Sequence, residues 1–151
     1  MLDSWDASQE VKQIVLECRK HKTDTLNLNN KGLSSFPSAL LQHLPYVRNL
    51  DLSNNELTFF KLEGASQLQI LEISDNHLES FSLQGASHLE GLYLNSNVLN
   101  HPPELIDCAK PEILDVSENP YLTTSSGVDK NIIQQRLSLF TVMLHNSSLQ
   151  I

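Results

Sequence analysis

The sequence has few cysteines, few basic residues and no long hydrophobic run, and each shortage excludes a class of protein. Among 151 residues the only cysteines are Cys18 and Cys108, with no C-x-x-C motif, so neither a disulfide framework nor a zinc ribbon is expected. Ten basic residues against eighteen acidic ones give a formal net charge of −8, which disfavours nucleic acid and an anionic membrane as partners. No apolar run reaches membrane-spanning length and no signal peptide is recognisable, so we expect a cytoplasmic protein.

The charge is unevenly distributed along the chain. Residues 49–118 contain twelve acidic residues against two lysines, a formal charge of −10. The basic cluster Arg19, Lys20 and Lys22 lies outside this region. It is interpreted either as a small docking patch or as the end of a helix, where cations suit the helix dipole.

A repeated phrase is the strongest feature of the sequence. Residues 57–68 and 78–89 lie 21 positions apart and share two leucines, Gly-Ala-Ser and a further leucine in register. Similar strings, 50–57 and 71–78, precede the two copies. Self-similarity at a fixed period of 20–50 residues predicts a repeat architecture.

Five copies of L-x-L-x-x-N-x-L, some imperfect, start at Leu26, Leu50, Leu71, Leu92 and Leu114. This pattern resembles the leucine-rich-repeat family over roughly residues 23–121. The resemblance implies an α/β leucine-rich-repeat solenoid, with a curved, parallel concave β-sheet of five to six strands and an N-terminal capping helix. It also implies a structural asparagine ladder in the turns after the strands, formed by Asn55, Asn76, Asn97 and Asn119, with Lys31 at the equivalent position of the first repeat.

We expect residues 1–151 to form one domain. Helical spacing of apolar residues predicts a cap helix over 6–20, with Asp6 or Ser8 as the N-cap. Residues 122–151 are either a degenerate sixth repeat, with a helix followed by a strand at 141–145, or a C-terminal cap with one helix over 129–145. The end at Ile151 suggests truncation, self-association or an atypical cap.

The segments between the predicted strands differ in composition. Repeats one and four contain Pro37 and Pro102-Pro103, which suit a short helical turn or an extended segment. Repeats two and three are too short for a helix, so we expect an extended back with tight turns at Gly64-Ala65 and Gly85-Ala86. The two cysteines are interpreted as core residues.

The third, fifth, seventh and eighth consensus positions are expected to face the concave side. From them the partner-binding residues are predicted to be Asn49, Asp51, Ile70, Glu72, Asp75, Gly91, Tyr93, Asn95, Ile113, Asp115 and Glu118. Acids around an aromatic and two aliphatic residues predict a partner protein with a basic, partly apolar surface. The alternative is that the acids only keep the sheet face soluble and that Tyr93 only fills the strand.

No pattern points to catalysis, a metal or a cofactor. Asp51 and Glu72 lie on an open sheet without a pocket that could make them a hydrolytic carboxylate pair. The six histidines, His21, His43, His77, His88, His101 and His145, form no ligand pair. No phosphate loop, dinucleotide fingerprint or nucleophile elbow is present, so neither an enzyme nor a small-molecule substrate is expected.

The resemblance therefore implies a non-enzymatic protein–protein interaction module. The chain is similar to short cytosolic leucine-rich-repeat proteins of eukaryotes, and to eukaryotic-like ones that intracellular bacteria deliver into host cells. In the second case it is an effector acting on a host protein in the host cytosol. The alternative is the recognition domain of a larger enzyme or receptor whose effector domain is absent from this chain.

Overall fold

The structure, a computed structural model, describes residues 2–120 as one helix followed by eight short strands. The helix α1 is Gln9–His21, and the strands are β1 Thr25–Asn27, β2 Asn49–Asp51, β3 Phe59–Glu63, β4 Ile70–Glu72, β5 Ser80–Gln84, β6 Gly91–Tyr93, β7 Glu104–Ile106 and β8 Ile113–Asp115. Two 3₁₀ helices, Leu2–Ser4 and Leu40–His43, complete the elements of this part of the chain. The predictions for residues 122–151 lie outside the described residues.

Helix α1 begins three residues later than predicted. The side chain of Ser8 accepts a hydrogen bond from the backbone N–H of Val11, so Ser8 and not Asp6 is the N-cap. Lys22, in the left-handed conformation at φ 51°, is the C-cap of the helix. Its buried side chains are Val11, Val15 and Cys18, so the helix covers the first repeat with its apolar stripe. The basic cluster falls on the last turn and C-cap of α1.

The front sheet consists of five parallel strands in the order β1-β2-β4-β6-β8. The register joins the equivalent leucine of every repeat, Leu26, Leu50, Leu71, Leu92 and Leu114. All five leucines are buried, because alternate strand residues point to opposite faces and the leucines point to the core. The predicted parallel sheet of the leucine-rich-repeat fold is confirmed.

Buried asparagine side chains join each repeat to the one before it. Asn76 accepts a hydrogen bond from the N–H of Leu57 at 3.0 Å and donates to the C=O groups of Leu52 and Ile73 at 2.9 and 3.3 Å. Asn55, Asn97 and Asn119 make the equivalent bonds. These amides satisfy backbone groups that the turns would otherwise bury without partners.

The first repeat has a lysine where the others have asparagine. The backbone N–H of this residue, Lys31, donates to Oδ1 of Asn55 at 3.0 Å. The ammonium group of Lys31 pairs with Glu10 of α1 at 2.8 Å. Lys31 therefore links the first repeat to both of its neighbours, the cap helix and the second repeat.

The back segments form a second parallel sheet, in the order β3-β5-β7. The sequence predicts the extended conformation of repeats two and three, and Gly64 and Gly85 end β3 and β5 at φ 74° and 80°. Only glycine adopts this conformation without cost. Inside the back sheet, the rings of Phe60 and Phe81 stack with centroids 5.4 Å apart.

The first repeat differs from the others at its back. It contains the 3₁₀ helix Leu40–His43 in place of a strand, which agrees with the short helical turn predicted after Pro37. In the fourth repeat the Pro102-Pro103 pair instead precedes a strand, β7.

Candidate protein-binding face

The fifth consensus position forms a row of side chains across the front sheet. Asn27, Asp51, Glu72, Tyr93 and Asp115 are directly in register from β1 to β8. Adjacent strands of a sheet lie about 4.8 Å apart. Asp51 and Glu72 are therefore neighbours, and Tyr93 lies next to Glu72.

Two serines hold the carboxylates of this row. Oδ1 of Asp51 accepts hydrogen bonds from the backbone N–H and the hydroxyl of Ser53, at 2.9 and 2.6 Å. Oε1 of Glu72 accepts one from the N–H of Ser74 at 3.1 Å. The hydrogen bonds to these two carboxylates come from Ser53 and Ser74, and a carboxylate has about four lone-pair sites, so both retain acceptor capacity for a partner.

Glu72 is the residue whose ionisation is disturbed most clearly in this row. Burial raises the pKa of its carboxyl above the ordinary value of 4.5, and the negative charges of Asp51 and Asp75 raise the pKa further. The hydrogen bonds from Ser74 act in the opposite direction. Within residues 2–120 no salt bridge is made by Glu72, and a basic group brought beside it would stabilise its ionised form.

An apolar area lies beside the acids. Ile70, on β4, is 37% exposed. A Cβ atom at Gly91, the register partner of Ile70, would lie 3.3 Å from Cε2 of Tyr93 and 3.9 Å from Cγ1 of Ile70. The tyrosine ring therefore occupies the space that a side chain at position 91 would need. Ile70 and the partly buried Tyr93 thus lie around the buried Gly91, and we call these three residues the apolar area.

The accessible part of the predicted site is smaller than the predicted list. Asp115 is only 5% exposed, and its Oδ1 accepts hydrogen bonds from the N–H and hydroxyl of Ser117. Asn49, Asn95 and Ile113 are partly buried, whereas Asp75 and Glu118 are exposed in left-handed turns at φ 53° and 56°.

The seventh consensus position does not face a partner in three of the repeats. Ser53, Ser74 and Ser117 are all buried, so these members of the column are not accessible to a partner. Each serine instead binds the acid two residues before it. The recurring acid-x-Ser spacing in the sequence is the signal from which this role could have been found.

Other kinds of site receive no support from the described residues. Residues 2–120 contain no group of three or more histidines, cysteines, aspartates and glutamates placed to hold a metal ion. No helix in the same range is long and apolar enough to cross a membrane. Cys18 is buried and Cys108 partly buried, and both are free thiols.

Two parallel sheets joined by asparagine-capped turns and covered by an N-terminal helix define the leucine-rich-repeat fold. A solved structure, that of the LRIM1 leucine-rich repeat domain, matches this chain with a TM-score of 0.56 and 20% identity. The match covers 78% of this chain and 36% of the other, so the chain spans about a third of that structure. No protein-family model matches the sequence, and no curated protein matches it.

Proposed function

We propose that the protein is a non-enzymatic interaction module that binds a partner protein on the concave front face. The leucine-rich-repeat fold supports this in general, because the fold serves typically as an interaction scaffold and not as a catalyst. The observation that carries the proposal is the register of Asp51 and Glu72 beside the apolar area. Acids next to a partly buried aromatic ring and an exposed aliphatic side chain suit a basic, partly apolar partner.

The mechanism is rigid display. Every residue of the site lies on a strand or in the turn after it, and the asparagine ladder fixes those turns. A preorganised surface loses little conformational entropy on binding, so more of the contact energy is available for affinity. A lysine or arginine of the partner placed between Asp51 and Glu72 would also offset the burial, and the smaller repulsion from Asp51, that raise the pKa of Glu72.

The location of this module is proposed from the resemblance alone. We place it in the cytoplasm, or in a host cytosol if it is a bacterial effector acting on a host protein. The recognition domain of a larger enzyme or receptor would use the same face in the same way. An immunoblot of the endogenous protein distinguishes a stand-alone module from the recognition domain of a larger protein. A species near 17.0 kDa, the mass of this chain, supports the stand-alone module. A much larger species supports the recognition domain.

Affinity capture from cell extract tests the binding face. Wild type and Tyr93→Ala are compared, with Leu16→Ala as the control because Leu16 is an exposed apolar residue on α1, outside both sheets. The proposal predicts a partner that wild type and Leu16→Ala retain and that Tyr93→Ala loses. Equal capture by all three proteins, each folded as judged by its melting temperature, would contradict it.

A further inference from the structure

The back sheet has an open edge at β3. The N–H of Gly64, just after β3, donates to the C=O of Gln84 on β5. Because alternate residues of a parallel strand bond the same neighbour, the residues whose backbone groups face away from β5 are Phe59, Lys61 and Glu63. Within residues 2–120 no hydrogen bond is made by the N–H or C=O of any of these three. Strand β3 thus presents three donors and three acceptors at strand spacing.

The sequence of the first repeat explains why this edge has no neighbour. The first two repeat starts lie 24 residues apart, whereas the next two intervals are 21 each. The extra residues form the 3₁₀ helix Leu40–His43, which follows Pro37, and proline has no N–H to donate to a ladder. The first repeat therefore cannot supply a strand to pair with β3.

A groove of about 550 Å³ separates β3 from the first repeat. The first repeat contributes Phe36, Ser38, Ala39 and Gln42, and β3 forms the other side. Phe59 is 63% exposed at this groove. The groove thus combines a partly apolar lining with an unpaired strand edge, the two elements of peptide recognition by strand addition.

We propose that an extended segment of a partner protein binds in this groove as a fourth strand of the back sheet, paired with β3. This is a second binding site, on the sheet opposite the front face. The first repeat forms the far wall of the groove, and the β3 edge of a second copy would bring its own three-stranded sheet against that wall, which favours a single strand as the occupant.

The side chains along β3 define the chemistry of the segment. Phe59, Lys61 and Glu63 point outward in the order apolar, basic, acidic. Cross-strand neighbours of complementary type stabilise a sheet, so the segment should carry an apolar, an acidic and a basic residue at alternate positions. The residues between them face the groove lining, where Phe36 and Ala39 favour apolar side chains.

The probe is a peptide of this pattern in the parallel orientation, acetyl-Gly-Val-Val-Glu-Val-Lys-Gly-amide. It is titrated into the ¹⁵N-labelled full chain to about 5 mM, which detects even millimolar affinity. Binding should shift the amide signals of Phe59, Lys61 and Glu63 and leave that of Tyr93 unchanged. The same peptide with N-methyl groups on its second and third valines, which lacks the donors facing β3, should bind at least about tenfold more weakly.

Variants separate backbone pairing from charge. Lys61→Pro removes the central N–H of the edge and should weaken binding at least about tenfold, whereas Lys61→Ala keeps the N–H and should change binding only about two- to fivefold. Tyr93→Ala, on the front face, should bind the peptide like wild type. Equal affinity of the N-methylated peptide or of Lys61→Pro would overturn the proposal. So would the absence of shifts at the β3 amides, or shifts there that depend on protein concentration without peptide.

Discussion

Lys61 and Ser82 lie directly opposite each other in the back sheet, but their backbone groups have opposite environments. Lys61 is on the edge strand β3, and its N–H and C=O face the open groove; those of Ser82, on the central strand β5, face β3. The two residues are therefore paired in the register, but only the backbone groups of Ser82 point at a neighbouring strand.

Proline substitution at these two positions should therefore lower the free energy of unfolding by different amounts. Ser82→Pro removes a ladder hydrogen bond in a central strand and should lower the free energy of unfolding by about 3 kcal/mol or more. Lys61→Pro removes an N–H without a partner on an edge, where proline is tolerated, and should cost no more than about 1 kcal/mol. Urea unfolding measures both. Similar losses would mean that the edge of β3 is already paired.

Asn76→Ala should be among the most destabilising single changes outside the leucine core. It leaves the N–H of Leu57 buried without its partner and removes one of the two amide donors to each of the C=O groups of Leu52 and Ile73, which keep their bonds from Asn55 and Asn97. A buried unsatisfied group costs about 1–3 kcal/mol and each further lost hydrogen bond about 0.5–1.5 kcal/mol, so a loss of about 2–5 kcal/mol is expected. The exposed Asn100→Ala is the matched control and should be nearly neutral. A neutral Asn76→Ala would show that water or rearranged turns replace the ladder.

The repeat pattern predicts the front sheet well because the core positions and the strand register recur from repeat to repeat. Leucine spacing sets which residues point to the core, and the constant repeat length sets the register, so the row from Asp51 to Tyr93 follows from the sequence alone. Side-chain burial within a row does not follow from periodicity. Asp115 occupies the same column as Asp51 and yet is buried.

For the back segments, the sequence predicts the conformation of each segment but not which segments pair. Alternation of Phe60 and Leu62 predicts an extended segment, and the structure contains one. Whether neighbouring extended segments pair depends on the path of each repeat, which the first repeat changes by inserting a 3₁₀ helix. The open edge of β3 therefore depends on a relation between two repeats that no single repeat encodes.

Glu72→Gln should stabilise the protein at neutral pH. The folded-state pKa of Glu72 is raised by burial and by neighbouring acids, so the folded protein holds the proton more tightly than the unfolded chain. Wild-type stability from this group is highest below pH 4.5, the ordinary value, and falls as pH rises through the folded pKa. Glutamine keeps an Oε1 acceptor for the N–H of Ser74 and carries no charge.

Thermal unfolding of the two proteins across pH 4–8, a range about the ordinary carboxyl pKa, measures this effect. Glu72→Gln should melt above wild type at pH 7, and the difference should shrink below pH 4.5. The control is Glu63→Gln, which removes an exposed acid of the back sheet. A destabilised Glu72→Gln at pH 7 would contradict the assigned cause of the pKa shift.

Gly91→Ala tests whether the tyrosine ring occupies the space above Gly91. The new Cβ would lie 3.3 Å from Cε2 of Tyr93, a close contact that a small shift of the ring relieves. We expect a stability change within about 1 kcal/mol, together with weaker partner binding because the apolar area is displaced. In a Tyr93→Ala background the same change should have no further effect on binding. Additive losses in the double mutant would place the two residues in separate contacts.

The dissociation constant of the captured partner tests the front-face assignment most directly. Isothermal titration of wild type, Tyr93→Ala and Phe59→Ala compares a partly buried aromatic residue of the front sheet with an exposed one of the back sheet. Asp51→Asn removes a charge while retaining an acceptor for Ser53. The account predicts at least about tenfold weaker binding for Tyr93→Ala. It predicts several-fold weaker binding for Asp51→Asn and a wild-type constant for Phe59→Ala. A wild-type constant for Tyr93→Ala and Asp51→Asn, with a loss in Phe59→Ala, would contradict the assignment and move the principal binding site to the back sheet.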